Sequence, residues 1–125
     1  MKVAIPNITF GEYLTAKREE KDITLRELAR KLDVSAPFLS DVEKNRRAPL
    51  TPERLERLAE ILALTDQEKA KMYDIVGKQK GSVAPDLPEY IMERDYVSAA
   101  LRTARDLDAG EAEWAKFVED LKNRR

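Results

Sequence analysis

The sequence predicts an all-α fold: a five-helix amino-terminal domain followed by a carboxyl-terminal helical extension. Three observations predict it. Apolar residues recur at i, i+3, i+4, i+7 in segment after segment, and Ser or Thr stands before most of these, three times with Glu three residues on. No stretch alternates with the period of a half-buried strand.

Thr9 caps a first helix reaching about Glu20, with Glu12 in capping-box position and Phe10, Tyr13 and Leu14 turned inward. Thr24 and Glu27 box the second, where Leu25, Leu28, Ala29 and Leu32 make one stripe. Ser35 caps a third helix only a few residues later. Pro37 falls in its first turn, where a missing N–H breaks no internal bond. Thr51 and Pro52 open a fourth helix with Leu55, Leu58, Ala59 and Leu62 inward, and Thr65 with Glu68 boxes a fifth carrying Met72, Tyr73 and Val76. From Gly77 to Pro88 the text "GKQKGSVAPDLP" reads as a linker or exposed loop, which divides the chain into residues 1–80 and residues 81–125. Beyond it Val97, Ala100, Leu101 and Ala104 line one helix. Trp114, Phe117, Val118 and Leu121 line another after the "DAG" break.

Composition narrows the chemistry. Of 125 residues 38% are charged, yet 23 Lys and Arg stand against 24 Asp and Glu, so a polyanion could be attracted only by a local patch. The chain has no Cys and no His, which excludes disulfides, thiolate metal sites and the commonest general base. Neither an enzyme nor a cofactor or metal site is expected. Glu111, Glu113, Glu119 and Asp120 cluster near the end but read as solvated helix surface. The start, "MKVAIPNITF", does not read as a signal peptide, and no apolar run approaches about 18 residues. The expected location is cytoplasmic, with no membrane contact.

Two short helices joined by so brief a connector must cross steeply, with Leu28, Ala29, Leu32, Val34, Leu39 and Val42 fixing the crossing. Pro37, Ser40, Asp41 and Lys44 then share the opposite, outer face, with Ala36 beside its amino end and Lys44, Arg46 and Arg47 forming a basic exit. That surface could enter a major groove. The stretch "ITLRELARKLDVSAPFLSDVEKNRRAP" resembles the lambda-repressor-like, or Xre-type, helix-turn-helix family, whose five-helix domain residues 9 to about 76 would match. Asp33 and Asn45 stand where that family often has glycine, so left-handed backbone is expected at both.

The resemblance implies a transcriptional regulator that binds double-stranded DNA, a repressor reading its operator through the helix at 35–45. Base edges would be read by Ala36, Pro37, Ser40 and Asp41, and phosphates held by Thr24, Arg26, Ser35, Lys44, Arg46 and Arg47. Proteins of this type pair on a pseudo-palindrome, so a homodimer is implied. Its face would involve Leu64, Met72 or Ile75, or else Tyr90, Tyr96, Trp114 and Phe117, unless those aromatics simply pack in a core. A second reading follows from a weaker likeness to prophage regulators and antitoxins: residues 83–125 dock a protein partner, a toxin or a peptidase, and DNA binding is autoregulation.

Overall fold

A computed structural model describes residues 8–124, and all regular structure among them is helical. The part of the amino-terminal stretch before residue 8, read above for a signal peptide, lies outside the described residues. The chain forms two compact units that meet in sequence between Leu87 and Pro88.

The first unit holds α1 (Phe10–Glu20), α2 (Leu25–Leu32), α3 (Ala36–Glu43), α4 (Pro52–Ile61) and α5 (Asp66–Lys80). Every start foreseen from the sequence is a cap. Side-chain oxygens of Thr9, Thr24, Ser35, Thr51 and Thr65 accept from backbone N–H groups three residues on, at 3.1 to 3.4 Å, and Glu12, Glu27 and Glu68 return the bond to the cap. Each such cap is worth about 1 kcal/mol, which fixes where the helices begin. One interior then gathers their apolar stripes. Phe10, Leu14, Leu28, Leu39, Val42, Leu55, Leu58, Leu62, Met72, Ile75 and Val76 are shielded almost completely. Ala29, also buried, is small enough to let α3 seat closely on α2.

The expected linker is only partly one. Gly77 to Lys80 form the last turn of α5, which Gly81 ends in the left-handed conformation at φ +68. Ser82 then donates to the Gly77 carbonyl at 2.8 Å, and the chain folds back until Ala84 is buried. A Cβ on Gly77 would come within 2.7 Å of the Ala84 nitrogen, so only glycine permits this approach. For that reason the unit continues past residue 80 to Leu87.

The second unit has α6 (Pro88–Met92), α7 (Asp95–Asp106) and α8 (Glu111–Lys122). No cap or apolar stripe in the sequence announces α6, a single short turn opened by proline, which packs on α7. The foreseen break at "DAG" has Asp108 at φ +56, and Glu113 accepts from the Gly110 N–H at 2.9 Å. Core packing of the tail aromatics is corrected: Tyr90, Tyr96, Trp114 and Phe117 are all exposed, and none of the three helices has a buried residue. Three short helices offer too few facing stripes to close an interior of their own.

Candidate nucleic-acid interface

The placement of α3 follows from the two residues beneath it. Leu39 and Val42 are 0% and 1% exposed, which seats the helix by its inner face. The turn before it is tight. Asp33 takes the left-handed conformation at φ +60, Val34 donates to the Ala29 carbonyl at 3.0 Å, and Ser35 caps the new helix immediately. With its underside fixed, the opposite side stays open: Pro37 and Lys44 are exposed, and Ser40 and Asp41 half-buried. Ala36 also leans partly on the core, leaving less of it available than the sequence implied.

The residues expected at phosphates surround this face. Thr24 and Ser35 are exposed while their oxygens accept cap bonds at 3.1 Å, so each hydroxyl hydrogen remains to be donated. Arg26, Lys44, Arg46 and Arg47 are exposed. Asp41 sits beside the basic exit: the Arg46 N–H donates to its carbonyl at 2.8 Å, and its carboxylate lies 3.9 Å from both the Arg46 and the Arg47 guanidinium. Cations, a hydroxyl, an acceptor and apolar surface thus share one edge. That combination can meet both a phosphate rail and base edges.

A family model for the helix-turn-helix domain matches residues 9–72, just over half of the chain. The chain belongs to the helix-turn-helix family. The family segment ends within α5, so α6 to α8 lie beyond it. Among curated proteins, the HTH-type transcriptional repressor RghR of Bacillus subtilis (strain 168) is 39% identical over 56 residues, 45% of this chain and 42% of the repressor. The match therefore spans less than half of that relative's length. A solved SinR protein/SinI protein complex aligns over 91% of this chain and 95% of the other, at 20% identity and a TM-score of 0.45.

Two features of the helix-turn-helix were not legible in the sequence. The first clamps the exit of α3 to α1. Asn45, at φ +61, accepts from the Gly11 N–H at 3.2 Å through Oδ1 and donates to Thr9 Oγ1 at 2.8 Å through Nδ2. Any side chain on Gly11 would strike the Glu43 carbonyl. Beside this, Glu43 binds Arg18 with two bonds of 2.7 and 3.2 Å, and Arg18 also donates to the Ile23 carbonyl. Donating to Glu43 pushes the Arg18 guanidinium pKa up.

The second feature is Phe38. Partly buried against the core, its ring carries the Arg47 guanidinium at 4.8 Å and the Arg54 guanidinium at 5.3 Å. Arg54 lies in the first turn of α4 and joins the basic edge from a different helix. Its spacing from Phe38 in the chain carries no signal, since only the packing of α4 beside α3 brings them together.

Proposed function

We propose that this chain is a sequence-specific DNA-binding transcriptional regulator, a repressor that occupies a pseudo-palindromic operator as a homodimer. One observation carries the reading: α3 is seated by Leu39 and Val42, its outer edge is open, and Arg46 and Arg47 stand at its end. Pro37 and the exposed part of Ala36 would touch thymine methyls, Ser40 would donate or accept, and Asp41 would accept from cytosine. None of these is an Arg or Gln making paired bonds to a purine. Direct reading is therefore modest, about 1 kcal/mol per contacted position, with DNA shape contributing the rest.

Most affinity comes from phosphates held by Arg26, Lys44, Arg46, Arg47 and the hydroxyls of Thr24 and Ser35. No catalysis and no cofactor enter this reading, and the protein acts in the cytoplasm; among the described residues no helix is long and apolar enough to cross a membrane. Selection of bound duplexes from a random pool tests it. A two-fold symmetric motif is expected, and a pool that shows no enrichment would remove the proposal.

A second reading is favoured by the exposed apolar residues of α7 and α8: an antitoxin-like protein whose tail docks a toxin or peptidase while the helix-turn-helix autoregulates. The docking surface then starts at Pro88 rather than residue 83, since Ala84 is buried in the first unit. Co-expression with the product of an adjacent gene, followed by purification of the pair, separates this from simple repression.

A further inference from the structure

Every residue of α8 is exposed, and the helix has only 12 residues. An isolated helix of that length is marginal in water, so its apolar stripe of Trp114, Phe117, Val118 and Leu121 needs a cover. The distribution of charge on α8 says which. Acidic Glu111 and Glu113 lie in its first turn, and basic Lys122 and Arg124 at or just past its end. Projected at 100° per residue, Glu111 and Lys122 flank the stripe on one side and Glu113 and Arg124 on the other.

We propose that α8 pairs antiparallel with α8 of a second copy of this chain. Turned end for end about a two-fold axis between Phe117 and Val118, the helix sets Trp114 against Leu121 of the second copy and Phe117 against its Val118. The same axis keeps each flank with itself. Glu111 then meets Lys122 of the second copy on one side, and Glu113 meets Arg124 on the other, each pair formed twice. Glu113 spends one oxygen on the Gly110 N–H and keeps the other for this contact. Asp120, farther round the second flank, is held by Lys116 at 3.0 Å within the same helix. A parallel pair would bring the acidic ends together and align the helix dipoles, both unfavourable. Leu101 and Ala104 of α7 line a cleft beside Trp114, so the apolar strip continues onto the neighbouring helix.

This rests on the dimeric regulator proposed above and names its interface, but it is tested without DNA, so its failure leaves operator reading untouched. Sedimentation of the full chain over a range of concentrations should show the mass doubling. Trp114 is the only tryptophan, and its emission should shift to the blue over the same range. The W114A/F117A variant should stay at monomer mass. Two further variants, E111K/E113K and K122E/R124E, should each remain monomeric alone and pair when mixed, because only the mixture has opposite charges across the axis. A monomer at every concentration, which would place the cover within the chain, overturns the proposal. So does an undiminished dimer of W114A/F117A, or a mixture of the charge variants that stays monomeric.

Discussion

The two units of this chain are written in the same helical language and end differently. Residues 8–87 and residues 88–124 both repeat apolar residues at three and four and break their helices at left-handed turns. In the first, Leu28, Leu39, Leu55, Met72 and Val76 vanish into one interior; in the second, Leu101, Trp114, Phe117 and Leu121 stay exposed. Five helices supply enough facing stripes to bury one another, and three short ones do not. An amphipathic pattern therefore states that a face will be covered, and the number of helices folding with it decides whether the cover is internal. The first unit can then spend a helix edge on recognition, and the second has its apolar stripe left for another chain.

The sharpest way to break this contrast is a matched pair of truncations. Leu39→Ala should cost about 3 kcal/mol in urea unfolding, since it empties a site with no exposure. Leu121→Ala, measured in dilute solution where copies are apart, should stay within about 0.5 kcal/mol of the parent. Equal losses would show that the tail has an interior after all. Next in size, Glu43→Ala should lower stability by about 2 kcal/mol because it strands Arg18 and loosens the exit of α3 from α1.

Smaller effects sharpen the division of labour. Arg46→Ala and Arg47→Ala should each weaken binding to all duplexes alike and reduce the slope of log affinity against log salt by about one unit. Arg54→Ala should do the same if the Phe38 ring aims it at the same strand. An unchanged slope would place that side chain off the DNA. Asp41→Asn should move the selected base more than the affinity, by about 1 kcal/mol at one position.

Smallest is a change on acidification. Lys17 on α1 binds Glu68 on α5 at 2.8 Å, and that bond, with help from the Thr65 backbone N–H, holds the Glu68 carboxyl at about 2 instead of 4.5. A carboxylate depressed on folding stabilises above its unfolded pKa, so this contribution is intact above about 4.5 and fades as pH falls toward 2. Glu68→Gln should flatten the acid limb of the stability profile in that window and leave neutral DNA binding unchanged. An identical limb in the variant would remove the Lys17 bond from the account.

Much of the scaffold that carries the candidate site could be read before any coordinates. Caps at Thr9, Thr24, Ser35, Thr51 and Thr65 are local chemistry: a hydroxyl three residues before a waiting N–H needs no distant partner. Left-handed backbone at Asp33 and Asn45 followed from the family resemblance, since both stand where that family often has glycine. Residues whose job depends on a neighbour far along the chain gave less away. Asn45 reads as a turn residue, and nothing near it announces that its side chain grips Thr9 and Gly11. Nothing beside Phe38 in the chain announces the Arg54 guanidinium that α4 brings to its ring. Gly77 reads as the start of a linker, and nothing near it announces that α5 runs on through it and that Ala84 folds back on it.

By itself the sequence determined the five capped starts of the first unit, the inward stripes of its helices, and the edge of α3 that remains once Leu39 and Val42 turn inside. Tertiary structure alone decided the clamp between α1 and the exit of α3, the guanidinium pair on Phe38, and which apolar stripes close on each other. Periodicity and capping act within a few residues, so the chain spells them out. Contacts between helices depend on which stripes meet and how closely two backbones approach, and those distances exist only after folding.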